Sequence, residues 1–375
     1  MNMFLKAGGE ATLNSMNMRL GEQVQLTLYG SSHGPHVGAT LTGVPEGLNV
    51  DHDAVAQAMR KRRPGGKYSS KRREADEVEW LSGVTGDRTT GETLECRIHN
   101  NDVRSSDYSF LPDHPRPGHQ DLVMMVKTNG AADLRGGGTS SARMTAPLVA
   151  MAAVLRPWLA NHGVEVRAHV GNIGGIEALP VDECLSVNLT DTCEALRCHD
   201  PEAAERMAAL IETTRRARDS LGSRVDMVIT GLPMGVGEPW FDGLEPALAR
   251  ALMAVPAARA VEFGRGTNVI HMKGSEHNDP WGGSVEAPEL QGDRPDGALA
   301  GMASGAPLRV SVSLKPPSSI PQEQRTLNLR TGQPEPLLVK GRHDPVLAPR
   351  GVAVVEAMAV LVLTDLMVRG HYLEA

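Results

Sequence analysis

Aromatic side chains make up only 3% of the 375 residues, and cysteine occurs four times. So few rings leave no platform for stacked bases, which argues against a single-stranded nucleic-acid binder. Cys96, Cys184, Cys193 and Cys198 show no paired zinc spacing, and Cys193, Cys198 and His199 follow no metal pattern. They read as reduced structural thiols, and no metal is expected. The chain also lacks a low-complexity linker and a repeat of 20 to 50 residues. No apolar leader with a cleavage site stands at its start, so a cytoplasmic location is expected. A net charge of −7 argues against general affinity for nucleic acid or an anionic membrane.

What the chain does have is core-forming material, at 41% hydrophobic residues. Residues 1–15 precede a second plausible start, Met16-Asn17-Met18, and read as an N-terminal extension or cloning remnant, leaving 16–375 as one domain. Val352 to Val368 is apolar nearly all round but short for a membrane span, and it carries Glu356 and Asp365. A helix buried on both faces is the better reading, and the segment from Ser141 to Asn161 has the same character. Such helices need cover on both sides. Runs rich in β-branched residues supply it as strands at Val24–Leu28, Leu94–Ile98, Val164–Val170, Arg224–Ile229 and Leu308–Leu314. Amphipathic helices are expected at Asp53–Lys61, Pro201–Leu221 and Leu244–Ala254, with loops near 111–118, 232–238 and 290–306. The fold class that follows is α+β, with helices enclosed between sheets.

Charge is concentrated locally. Arg60 to Arg73 holds eight cationic side chains in fourteen positions and no acid, which suits a small polyanion, although a solvated charge run or an RNA-contacting loop fits the run alone. Further candidates sit beside glycine or proline, where loops carry function. They are Tyr29 to Gly34, Arg116 to Asp121, Lys315-Pro316-Pro317-Ser318-Ser319, Lys340 to Pro345, and the triple glycine of Arg135 to Arg143. Glycines admit a ligand close to the backbone, amides at a following helix start accept oxyanions, and arginines neutralise them. Taken singly, each has a plain alternative: His33 as a turn residue, the glycine loop as a tight turn, Asp344 as an ion pair or helix cap.

In combination and in this order, Gly30-Ser31-Ser32-His33-Gly34, Arg116-Pro117-Gly118-His119-Gln120-Asp121, Gly136 to Arg143, and Arg342-His343-Asp344-Pro345 resemble the chorismate synthase family. The resemblance spans nearly all of residues 16–370. It implies the chorismate synthase fold, with core helices between antiparallel β-sheets, and a homotetramer. It implies a lyase that converts 5-enolpyruvylshikimate 3-phosphate to chorismate and phosphate by 1,4-anti elimination. This last step of the shikimate pathway, which serves aromatic amino-acid biosynthesis, requires reduced FMN without net redox change. By the same resemblance His33 protonates the departing phosphate, His119 settles the proton on reduced flavin N1, and Ser32 with Asp344 relays the proton from N5. Arg62, Lys67, Arg116, Arg135, Arg143 and Arg342 correspond to ligands of the substrate's anionic groups or the flavin phosphate. Thr139, Ser140, Ser141, Pro256, Ala257, Ala300, Lys315, Pro316, Pro317, Ser318, Ser319 and Arg342 correspond to the flavin site.

Five positions depart from the family pattern. Ser31 stands where glutamate is usual, Lys67 and Thr139 where arginine is, Met144 where glutamate is, and Pro256 where asparagine is. These departures keep a non-catalytic flavin- or phosphate-binding paralogue as the alternative. Some family members reduce their own flavin with NADPH. No Gly-x-Gly-x-x-Gly follows a strand here, so an external reductant is expected.

Overall fold

The computed structural model describes residues 16–70, 74–102, 105–184, 188–341 and 343–374. The proposed extension 1–15, the basic residues 71–73 and the candidate ligand Arg342 lie outside the described residues.

Two five-stranded antiparallel sheets form the outer layers. Sheet I runs Arg19–Leu20, Gln25–Gly30, His36–Thr42, Leu94–His99, Glu79–Ser82, and sheet II runs Ile176–Glu177, Glu165–Ile173, Ser223–Thr230, Leu308–Leu314, Ala258–Phe263. Strict alternation decides which face turns inward: in Leu308–Leu314 the residues Leu308, Val310, Val312 and Leu314 are buried and those between them are not.

Between the sheets lie the two apolar helices. Thr145–Asn161 packs on sheet I and on Ala348–Arg369, which in turn packs on sheet II. The layers are thus sheet, helix, helix, sheet, as the α+β expectation required. Nineteen of the 22 residues in Ala348–Arg369 are buried, because a helix apolar on all faces must be covered on all faces. Among the described residues it alone is long and apolar enough to cross a membrane, at a mean hydropathy of 2.1. Burial within the fold uses that apolar surface instead. Its Asp365 carboxylate accepts the backbone N–H groups of Glu22, Gln23 and Val24 at 3.1, 2.8 and 2.9 Å, tying the helix end to the first turn of sheet I.

Every expected helix and strand forms, Leu308–Leu314 at the expected ends and the others with shifted ends. The helix expected over Pro201–Leu221 stops at Arg216, where Arg218 takes a left-handed φ of 60°. The helix expected from Ser141 begins as a tight 3-10 turn, Ala142–Met144, and becomes α-helical at Thr145. His36–Thr42, Glu79–Ser82 and Ala258–Phe263 were not anticipated as strands. In the first, Gly38 weakens the strand signal for a packing reason: the Tyr29 ring lies where its Cβ would be, 2.2 Å away.

Candidate active site

Segments from distant parts of the chain line a cavity of about 580 Å³, within the roughly 300–1,000 Å³ typical of small-molecule sites. Among the described residues its cationic lining is Arg62, Arg116, Arg143, Arg259, Lys315, Lys340 and Arg350, against the acids Glu74, Asp107 and Asp344. The cavity suits an anionic ligand although the chain as a whole is acidic.

Arg62 occupies the last turn of the helix His52–Arg62, which Asp51 caps by accepting the N–H of Ala54. The side chain is buried, and Asp76 receives its Nη2 at 2.7 Å. The same Asp76 carboxylate accepts from Arg143, whose Nε also donates to Asn100 at 2.8 Å. One acid thus aims two arginines at the cavity. Burial alone would raise the Asp76 pKa, but the two guanidinium groups outweigh it and hold the carboxyl below its ordinary range. Burial lowers Arg62 to about 10. Its Nε is enclosed by protein and has no hydrogen-bond partner among the described residues.

A second device orients His119. Asp121, fully buried at the start of the helix Asp121–Lys127, accepts Arg116 Nε at 2.8 Å and Nη2 at 2.7 Å, and faces His119 Nδ1 at 2.7 Å. Burial opposes ionisation of Asp121, yet bonds from Arg116 and His119 hold its pKa far below the usual range. The ionised Asp121 carboxylate at 2.7 Å and the Arg116 Nη2 at 3.0 Å both meet Nδ1, which fixes the ring and leaves Nε2 for a ligand.

Gly136, Gly137 and Gly138 all take positive φ, at 59°, 88° and 54°. This lets the loop pass between two histidines: a Cβ on Gly136 would stand 2.4 Å from His33 Cε1, and one on Gly137 would stand 3.9 Å from His119 Cε1. His33 lies behind this glycine wall, edge-on to Tyr108 at 5.1 Å. Ser32 Oγ bonds the Arg135 carbonyl at 3.2 Å and lies 3.3 Å from His33 Nδ1.

The cavity lining therefore includes His119, Arg62, Arg116, Arg143, Asp344, Ser140, Ser141, Pro256, Ala257 and Lys315 to Ser319. Ser32, His33, Lys67, Arg135, Thr139 and Ala300 are not among the lining residues. Lys67 is exposed, its Nζ 5.1 Å from the Tyr68 ring centre. Arg135 pairs with Asp133 at 2.8 Å, Thr139 meets Met16, and Ala300 is exposed in the turn between Ala298–Leu299 and Met302–Ala303. Asp344 is bound by the Ser70 N–H at 2.7 Å and by Arg350 at 2.6 Å, so it does not cap the following helix, whose cap position is Leu347. Ser32 and Asp344 are held by different partners.

Sequence reading did not single out Arg350, Arg259, Tyr108 or Asp76. Arg350 lies just beyond a motif that was recognised, and Lys340, part of the candidate segment Lys340 to Pro345, does line the cavity. Asp76 has no local signal, since its role arises only when Arg62 and Arg143 meet over it.

The residues also fit a flavin mononucleotide. Lys315 donates to the Gly118 carbonyl at 2.6 Å, and a Cβ on Gly118 would stand 3.2 Å from Ser318, so the two loops form a close cradle. Pro256, Pro316 and Pro317 supply flat apolar surface, while Ser140, Ser141, Ser318 and Ser319 supply hydroxyls, and Lys315 and Arg259 supply charge for a phosphate.

The chorismate synthase family pattern matches residues 24–368. The chain belongs to the chorismate synthase family. It is 46% identical to chorismate synthase of Aeropyrum pernix, over 93% of this chain and 92% of that one. It is 40% identical to that of Methanococcoides burtonii, over 94% and 96%. A solved structure of chorismate synthase superposes with a TM-score of 0.70 at 25% identity, covering 93% of both chains. Membership of the chorismate synthase family makes the chain a lyase of aromatic amino-acid biosynthesis acting on a small molecule, and the shared fold agrees with the sheet–helix–helix–sheet layers.

Proposed function

We propose that this chain eliminates phosphate from 5-enolpyruvylshikimate 3-phosphate to give chorismate, with reduced FMN bound in the same cavity. The observation that carries the reading is the joining of the Asp76-aimed arginines, the Asp121-held histidine and the Lys315–Ser319 cradle around one space.

The reaction expels phosphate from one ring carbon and removes a hydrogen from another, so charge develops at two ends. At the phosphate end, Arg62 and Arg143 are locked before substrate arrives, and fixed cations stabilise developing negative charge without reorganising. Arg116, held through Nε and Nη2 by Asp121, adds a third preset cation. By the family resemblance His33 serves as acid for the departing phosphate, a role that requires the Gly136–Gly138 wall to shift because His33 does not line the cavity, and His119 holds or gives a proton at Nε2. Reduced FMN, held by Ser140, Ser141 and the Lys315–Ser319 cradle, would supply electron density for the removal of the unactivated hydrogen. Asp344 presents a carboxylate to the cavity, its position set by Ser70 and Arg350. Ser32 relays a proton with Asp344 once ligands bring them together.

The assembly is read as a cytoplasmic homotetramer that draws reduced flavin from an outside reductant. Anaerobic incubation with substrate and dithionite-reduced FMN is expected to release one inorganic phosphate per chorismate formed. No phosphate release under these conditions would sink the proposal. Turnover in air with NADPH and FMN alone would replace the external reductant with an intrinsic one.

A further inference from the structure

On the outer face of sheet II, His169 is fully buried although its strand neighbours Ala168 and Val170 point the opposite way, into the core. The described residues 180–184 and 188–200 bring Cys184 and His199 alongside it. The Cys184 Sγ and one ring nitrogen from each histidine lie within 4.8 Å of one another, and Sγ is 3.9 Å from His169 Nδ1. His169 Nδ1 also accepts the His199 N–H at 3.3 Å, while its Nε2 is buried with no hydrogen-bond partner among the described residues. Buried imidazoles ordinarily satisfy both nitrogens. Among the described residues Cys184 also meets the Pro180 and Val181 carbonyls, at 3.3 and 3.7 Å, as weak acceptors.

We propose that His169, Cys184 and His199 bind one divalent thiophilic ion, Zn²⁺ or one of like preference, which fastens Cys184 and His199 to sheet II. None of these residues lines the active-site cavity. One thiolate and two imidazoles form a donor set that zinc favours over oxygen-seeking ions. Tetrahedral zinc places such donors about 3.5 Å apart, so side-chain rotation must draw them in by roughly 1 Å. Binding converts the Cys184 thiol to a thiolate and releases one proton to solvent.

The test uses the full chain without a histidine tag, stripped by chelator and then titrated with Zn²⁺ or Co²⁺. One ion per chain is expected, with a thiolate-to-cobalt charge-transfer band and a Tm that rises with Zn²⁺. Cys184→Ser and His199→Asn are expected to abolish the band and weaken binding at least tenfold while circular dichroism stays native. His199 is the less buried of the two and serves if the cysteine variant does not fold. A wild-type chain that retains no ion, or a His199→Asn variant that binds one ion with unchanged affinity, overturns the proposal.

Discussion

Two buried acids define the candidate site at the scale of single residues, and neither lines the cavity. Asp121 fixes the His119 ring, so His119→Ala is expected to lower turnover by roughly 10²–10⁴ with FMN binding retained. His33→Ala should slow it at least tenfold. Single-turnover kinetics with a flavin titration check both, and unchanged turnover removes that residue from the mechanism. Asp76 holds Arg62 and Arg143, and removing one partner of a buried pair leaves an uncompensated charge. Asp76→Asn should therefore cost about 3–5 kcal/mol in stability and raise the KM for substrate. Because the native pKa of Asp76 is depressed, its contribution is complete above the unfolded carboxyl pKa of about 4 and is lost as pH falls through the lower native value. Denaturant melts should show a constant gap between wild type and Asp76→Asn from pH 5 to 8, narrowing only below about 4. A gap that closes by pH 6 contradicts the assignment. Among the departures from the family pattern, Ser31 has a local role, since its Oγ accepts the Gly34 N–H at 3.1 Å.

The informative element is the glycine loop, which separates the two histidines by a wall one backbone thick. Gly136→Ala combines a left-handed φ with a methyl 2.4 Å from His33. The backbone strain is about 1–2 kcal/mol, and relief of the clash must move His33. Turnover is expected to fall at least tenfold. Gly130→Ala is the control, because Gly130 has φ of 81° and nothing within 4 Å of an added Cβ, so it carries strain without a clash. Equal activity loss in the two variants would mean that strain, and not His33 placement, matters. The element also shows why its local form was hard to anticipate. A run of glycines has no side chains whose periodicity reveals a path, and its positive φ values arise from packing against Ser32, His33 and His119.

For the whole molecule, both sheets and the helices between them share one hydrophobic core. Trp240 and Phe241, two of only eight tryptophans and phenylalanines, are 80% and 88% exposed, an unusual placement for large apolar rings on an isolated subunit. A homotetramer is expected to cover such surface. Sedimentation equilibrium should give the mass of four chains, and a monomer at assay concentration would remove the assembly from the reading.

The enclosed helices were legible because apolarity on every face of 348–369 and 145–161 admits few solutions in water, and cover by sheets is the simplest. The motif residues were legible because glycine, proline, histidine and arginine in fixed order imply a close-fitting anionic ligand. Tertiary structure alone decided which candidates share a space, since Lys315 reaches Gly118 across almost 200 residues and Asp344 reaches Ser70 across 274. It also decided which acids aim them, and it brought His169, Cys184 and His199 together from separate elements. Such pairings follow from how layers pack, a long-range result that no window along the chain contains.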